Sequence, residues 1–244
     1  MDHSLYVAMT GAKQIMQAQA VNAHNMANVS TVGFRADTHE FQSFPIYGPG
    51  YPTRVNAVAT DAGADLSPGT ISNTGRDLDI AVNGQGFIAV RGADGKEAYT
   101  RAGDLQITST GVLQTASGFP VLSDGSVVTL PPSSQVTIGG DGTISVVPLG
   151  LSPAALAQAD RIKLVNPPEK DLIKGNDGLF RLKSGQKAAS DPNVSISSGV
   201  LESSNVNMAQ SLISMIELQR MYEMQIKGIG TADQNSQSAE KLMQ

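Results

Sequence analysis

Asp77 and Asp79 stand two residues apart. On a strand such a pair shares one face, and two neighbouring carboxylates are the raw material of general acid–base chemistry. That chemistry needs a titratable partner in a cleft, and the sequence offers none beside them. A solvated or salt-bridged pair is the plainer reading. Ser184-Gly185-Gln186-Lys187 has the S-x-x-K spacing of an activated serine, but neither Ser-Asp-Asn nor Lys-Thr-Gly accompanies it. Gly84-Gln85-Gly86-Phe87-Ile88-Ala89 spells G-x-G-x-x-A. A dinucleotide site requires that motif to open a helix, whereas here it opens an apolar, strand-like run. His3, His24 and His39 are the only histidines, and none has zinc-ligand spacing. Asp94, Asp124, Asp141 and Asp177 each precede glycine, which turn chemistry explains without a metal. The triplets Asn28-Val29-Ser30 and Asn193-Val194-Ser195 are sequons only by spelling. No catalytic, cofactor-binding or metal-binding residue is therefore expected.

The bulk composition closes other classes. Formal net charge is -5 and no Lys/Arg run occurs, so a phosphate-binding surface for nucleic acid is not expected. There is no cysteine, which removes disulfides and thiol chemistry. No apolar stretch is long enough to span a bilayer. The opening Met1-Asp2-His3 lacks the basic region of a secretory signal, so a cleaved export route is not expected. Aromatic content is only 5%, which argues for a modest core.

The elements that would position any site fall into a clear order. Leu5, Met9, Ala12, Met16, Gln19, Ala23 and Met26 step by threes and fours and predict a helix from Asp2 to Asn28, capped by Asp2 or Ser4. Met208, Leu212, Met215, Gln219, Tyr222, Ile226 and Ile229 repeat that pattern near the other end, with Asn207 and Gln210 as a capping pair. Gly228 and Gly230 put the continuity of this second helix in question, since each costs about 1 kcal/mol relative to Ala. Gly33 supplies a turn that points Phe34 toward a neighbour. From Arg35 to Asp79 the prolines and glycines predict an extended connector with short strands. From Ile80 to Leu182 the pattern is strand–turn–strand, with turns at Asn83-Gly84, Asp94-Gly95 and Gly139-Gly140-Asp141-Gly142. Only Pro153 to Ala159 reads as briefly helical. Two terminal stripes that cannot be buried alone predict helices that pack on each other or on other subunits, and head-to-tail association of such patches generates filaments.

Four segments, in order, resemble the flagellar rod and hook protein family. They are Ala27-Asn28-Val29-Ser30-Thr31-Val32-Gly33-Phe34-Arg35, Asn83-Gly84-Gln85-Gly86-Phe87, Tyr99-Thr100-Arg101-Ala102-Gly103 and Gly199-Val200-Leu201-Glu202-Ser203-Ser204-Asn205-Val206-Asn207. The opening Met1 to Met9 and the run Arg220 to Lys227 are similar to the proximal-rod branch of that family, with the distal-rod branch as the alternative. A secreted β-rich binding module is a more remote alternative, and it lacks an aromatic platform. The resemblance implies a mixed α and β fold: N- and C-terminal helices pairing as a coiled coil, an extended connector and a β-rich central domain. The implied segments are 1–29 (helix), 30–79 (connector), 80–190 (β-rich domain), 191–206 (returning connector) and 207–244 (helix). It also implies export without a cleaved signal by the flagellar type III apparatus, and assembly with other rod proteins in a helical periplasmic rod that transmits torque and lines the export channel. It implies no catalysis. The expected assembly interface comprises Leu5, Met9, Met16, Met26, Asn28, Gly33, Phe34, Asn205, Leu212, Met215, Tyr222, Ile226 and Ile229.

Overall fold

The computed structural model describes residues 3–45, 55–148 and 156–242. The chain divides into two compact units. One gathers Met1–Val29, Ala36–Asp65 and Val206–Gln244, and the other gathers Ser30–Arg35 and Leu66–Asn205.

The first unit is built on helix α1 (His3–Ala27), strands β1 (Asp37–Pro45) and β2 (Val55–Ala64), and helix α2 (Met208–Leu242). The two helices pack antiparallel. Asn22 Nδ2 donates to the Ser211 carbonyl at 2.8 Å, Ile15 and Ala18 pack on Leu218 with Tyr222 beside them, and Gly11 lies against Gln225. The small side chains on α1 allow this close approach. A Cβ at Gly11 would already sit 3.2 Å from Gln225 Cδ. The stretch expected to be a connector with short strands carries a long antiparallel hairpin, with Asp37 opposite Ala64 and Pro45 opposite Val55. Its start is tied to the end of α1. Asn25 donates through Nδ2 to the Asp37 carbonyl and accepts from the Asp37 N–H, both at 2.8 Å, and His24 Nδ1 lies 2.8 Å from Asp37 Oδ2.

Helix α2 begins as its sequence requires. The Asn207 Oδ1 accepts from the N–H groups of Ala209 and Gln210, satisfying donors that have no partner inside the helix. It then runs unbroken through Gly228 and Gly230. The cap expected at Asp2 lies outside the described residues.

Among its described residues, the second unit is β apart from one 3-10 turn. Its strands are β3 (Ile71–Asn73), β4 (Ile80–Asn83), β5 (Phe87–Arg91), β6 (Glu97–Thr100), β7 (Leu105–Ile107), β8 (Leu113–Thr115), β9 (Ser133–Ile138) and β10 (Thr143–Pro148). They continue with β11 (Ala157–Arg161), β12 (Leu164–Val165), β13 (Leu172–Lys174), β14 (Phe180–Leu182), β15 (Ser195–Ser198) and β16 (Val200–Glu202). A five-stranded sheet has the order β12-β5-β6-β14-β13, a three-stranded one β11-β10-β9, and β4, β3 and β7 pair with β15, β16 and β8. The brief helix expected at Pro153 to Ala159 is not formed where the chain is described: Ala157 to Arg161 pair as a strand with β10. Residues 153–155 lie outside the described residues. The Asp-Gly turns form as their chemistry dictates. Asp94, Asp141 and Asp177 each accept the N–H two residues on, and these bonds, with Arg181 or Thr143, hold the three carboxyls below the usual range. The core is aliphatic, with Ile80, Ile88, Leu105, Leu113, Val121 and Ile144 fully buried. This is how an aromatic-poor chain fills a sheet interior.

A Cβ at Gly228 or Gly230 would meet nothing within 4 Å. Replacing both by Ala should therefore raise the urea stability of the helical unit by about 1 kcal/mol per site. The check is denaturation followed by far-ultraviolet circular dichroism. A loss of stability would show that the glycines answer a constraint inside the chain.

Candidate functional site

The residues that could do chemistry separate. Asp77 lies exposed in a turn, and Asp79 is buried and bridges to Asp104, not to Asp77. Asp79 Oδ2 accepts from Thr74 Oγ1 at 2.7 Å, and Arg76 Nη1 lies 3.3 Å from Oδ1. Burial, and then the Asp79 charge, push the Asp104 carboxyl above its ordinary value, against the pull of Arg76. This is an electrostatic liability inside a turn, not an acid–base site opening on a cleft. Gly84 and Gly86 lie in the turn between β4 and β5, so their N–H groups do not open a helix. Ser184 Oγ accepts from the Gln186 N–H, which makes the S-x-x-K segment a turn. Among the described residues no three His, Cys, Asp or Glu side chains gather to hold a metal. Among them, too, no helix is long and apolar enough to cross a membrane.

What the fold does assemble is a buried ion cluster within the second unit. Glu202 is 2% exposed and lies between Arg35 and Arg101. Its Oε1 accepts from Arg35 Nη2 at 2.7 Å and from the Gly69 N–H at 2.9 Å, and its Oε2 accepts from Arg101 Nη1 at 3.3 Å. Arg101 also donates to the carbonyls of Val82 and Gly84 and stacks over the Phe87 ring. Burial, opposed by the Glu202 charge, pulls the Arg101 pKa down, and the nearby Arg35 charge adds to that pull. Arg35 Nε and Nη1 and Arg101 Nε find no hydrogen-bond partner. Two under-satisfied guanidinium groups thus depend on one carboxylate.

The backbone is drawn in as tightly. The Gly33 N–H donates to the Glu202 carbonyl at 2.8 Å, and Gly33 has φ +65°. A Cβ there would fall 2.3 Å from the Arg101 carbonyl carbon, so only glycine fits. Phe34 is buried beneath the Lys174 ammonium, 3.9 Å from the ring centroid, and Lys174 donates to the Arg35 carbonyl. Gly33 and Phe34, expected at a boundary between subunits, are thus buried inside their own unit. Asn205 accompanies them: its N–H donates to the Phe34 carbonyl and its Nδ2 to the Ser67 carbonyl. Asn28 Nδ2 donates to the His24 carbonyl at the end of α1.

The helical residues expected at an interface divide by face. The side of α1 that meets α2 is marked by Ala12, Ile15, Ala18 and Asn22. Met9 and Met16 lie two turns apart on a flank roughly 100° away and are exposed. On α2, Ser211, Leu218 and Ala232 are buried, and Met215, Tyr222 and Ile229 half-buried beside them. Leu212 and Ile226, with Met208 and Ile216, form an exposed apolar flank, and Ile213, Met221 and Met224 form another. Leu5 and Met26 are half-buried. A helix apolar on several sides is one that a larger assembly buries.

A chain with a clasped β unit, and helices more apolar than their own pairing needs, belongs to the class of structural assembly proteins. Comparison with known families gives the same class. Residues 5–35 match the flagella basal body rod protein model, residues 81–146 the flagellar hook protein FlgE/F/G D1 domain, and residues 197–242 the flagellar basal body rod FlgEFG protein C-terminal model. The chain is 41% identical over 249 residues to the flagellar basal-body rod protein FlgF of Salmonella typhimurium, covering 100% of this chain and 99% of the relative. It is 40% identical to FlgF of Escherichia coli with the same coverage. It is also 32% identical over 266 residues to the flagellar basal-body rod protein FlgG of Buchnera aphidicola, covering 98% of this chain and 99% of the relative. The chain belongs to the flagellar basal-body rod protein family, a structural family without catalytic activity.

Each of the three matched segments contributes one member of the ion cluster: Arg35, Arg101 and Glu202 in turn. The sequence motifs contained all three, but a charged residue inside an apolar motif says nothing of which distant charge it meets. Glu202→Gln should keep the shape and leave two buried guanidinium groups uncompensated, at a cost of about 3–5 kcal/mol in urea denaturation. Unchanged stability would remove the cluster's structural role.

The Asp79–Asp104 pair gives a second test. Because Asp104 has its folded pKa raised above 3.8, its stabilising contribution is full below that value and is lost as pH rises through the raised pKa. Asp104→Asn should therefore melt higher than the unmodified chain at pH 7, and the difference should shrink toward pH 4. A difference that grows on acidification would reverse the assignment.

Proposed function

We propose that the chain is a structural subunit of the proximal segment of the flagellar rod. Its relatives named FlgF and FlgG match over nearly the whole chain, so full-length likeness supports the rod but does not choose the segment. The opening Met1 to Met9 and the run Arg220 to Lys227 favour the proximal branch, with the distal branch as the second reading.

The observation that carries the mechanism is the apolar surplus of α2. Its pairing with α1 consumes one side and leaves Leu212, Ile216 and Ile226 exposed on one flank and Ile213 and Met224 on another. We infer that α1 and α2 together form a coiled-coil element of the inner wall of the rod, facing neighbouring subunits through Leu5, Met9, Met16, Met26, Leu212 and Ile226, with Met215, Tyr222 and Ile229 on the side where the two helices meet. Two different flanks on one helix join different surfaces of neighbouring subunits. Such a contact does not close on itself and extends as a helix of subunits. The β unit is held by its own core and ion cluster. The subunit reaches the periplasm through the flagellar export apparatus without a cleaved signal, joins other rod proteins there, and lines the channel through which later subunits pass.

Leu212→Asp places a charge on the first flank without touching the pairing side. It should leave the purified chain folded, with the β unit melting unchanged, and abolish motility. Basal bodies imaged from that strain should stop at the rod. Normal rods and normal swimming would sink the role given to α2.

A further inference from the structure

All nine methionines of the chain lie at positions 1–26 or 208–243, and there is no cysteine. The β unit therefore contains no sulfur, and seven of the nine methionines lie in the two helices. Met224 is 61% exposed, Met16 57%, Met9 51% and Met208 46%, while Met26 and Met215 are half-buried. Thioethers are soft, flexible contact groups suited to surfaces that must fit more than one partner. They are also the groups that oxidants convert to sulfoxides, turning an apolar side chain polar.

Their placement makes that conversion consequential. Met9 and Met16 occupy the flank of α1 turned away from the Ala12–Ile15–Ala18 side that meets α2. Met208 accompanies Leu212 and Ile226 on one flank of α2, and Met224 accompanies Ile213 on the other. These apolar surfaces are uncovered in the free chain and are the ones given above to neighbouring subunits.

We propose that Met9, Met16, Met208 and Met224 are sulfoxidation sites through which a peroxide oxidant blocks incorporation of the free subunit; this rests on the assembly reading of the helices. In each event a sulfur lone pair attacks one peroxide oxygen, the O–O bond breaks and an S–O bond forms. Sulfur loses two electrons, and the departing hydroxide takes the remaining proton and leaves as water. The new sulfoxide oxygen is a hydrogen-bond acceptor that an apolar subunit contact leaves unpaired, so the oxidised chain stays out of the rod. Once incorporated, the same sulfurs are covered. The vulnerable period is the passage between export and assembly.

The test compares two pools of the same protein. Cells lacking the gene express the full chain from an inducible copy, hydrogen peroxide is added during induction, and sulfoxides are mapped by mass spectrometry. Sulfoxide at the four positions should be abundant in unassembled chains and depleted in purified rods. Replacing the four by leucine, a swap that conserves volume, should preserve recovery of motility under peroxide doses at which the unmodified chain loses it. Met16→Leu alone serves as a second variant should the fourfold one assemble poorly, and should recover part of the resistance. Equal sulfoxide in rods and in the free pool, or equal loss of motility with and without the replacements, would overturn the proposal. Leu212→Asp separates the two levels. If that variant enters rods, the helix reading fails. If it is excluded while sulfoxide-bearing chains enter, only the redox proposal fails.

Discussion

A single buried carboxylate governs the geometry of the β unit. Glu202 has to neutralise Arg35 and Arg101 in an interior where an unpaired charge is prohibitively unfavourable. Those three residues are far apart in sequence, so the chain segments that carry them must come together before any of them is satisfied. The demand spreads to the backbone. Gly69 gives its N–H to Glu202, and its own Cβ position is filled by the Ser203 carbonyl oxygen. Gly33 gives its N–H to the Glu202 carbonyl and lies against Arg101. A cluster of this kind adds little net stability over a well-packed apolar core, but it penalises every misregistered arrangement heavily. Its hydrogen bonds tie the segments 30–35 and 200–205 to the rest of the β unit.

The helices obey a different constraint. Their pairing uses small side chains on α1, where Ala12, Ala18 and Gly11 let the backbones approach, and larger ones on α2, where Leu218 and Tyr222 fill the space. Apart from Ile15, which packs on Leu218, that division leaves the most exposed large apolar residues of α1 outside the seam. Met9 and Met16 sit beside the seam, not in it. For an isolated soluble chain this is a poor use of hydrophobic area. For a subunit whose flanks meet its neighbours, as proposed above, it is the expected arrangement, because the seam already holds the two helices to each other.

How much of this the sequence disclosed follows from the range of each interaction. Local rules were legible. The Asn207 cap and the Asp-Gly turns depend on residues within a turn of one another and form as the sequence predicts, whereas Gly228 and Gly230 leave the continuity of α2 open in the sequence, and the helix runs through both. The hairpin of β1 and β2 is not legible locally, because its strands flank a Pro/Gly-rich stretch that favours a connector. The helical signal fails at Ala157 to Ala159 for the converse reason. Ala-rich sequence favours a helix locally, but Ala157 to Arg161 gain partners along β10. The stripe on α1 runs through Met9 and Met16 on an exposed flank, while the stripe on α2 takes in both Tyr222 at the seam and Leu212 and Ile226 on a flank. The seam itself is marked by alanines that hydrophobic spacing ranks low. Asp77 is the carboxylate nearest Asp79 in sequence, whereas the neighbour of Asp79 in the fold is Asp104, at a separation no local pattern encodes.

The two constraints explain why sulfur and buried charge occupy different parts of the chain. A charge cluster tolerates no adjustment: its hydrogen bonds hold only within a few tenths of an ångström, and the glycines around it have no room for even one carbon. Such a site is best built from groups with few alternative geometries, and the β unit uses planar guanidinium groups, a carboxylate, backbone amides and branched aliphatic side chains. An assembly surface faces the opposite demand. It has to fit partners that are related but not identical, so it gains from side chains with many nearly equivalent conformations. Methionine offers these without a polar atom that needs a partner. If α2 carried a cluster like that at Glu202 on its outer flank, it would match one neighbour and exclude the rest. A rod made of more than one kind of subunit therefore favours a rigid clasp inside each chain and an adaptable apolar surface between chains, and the distribution of residues along this sequence follows that rule.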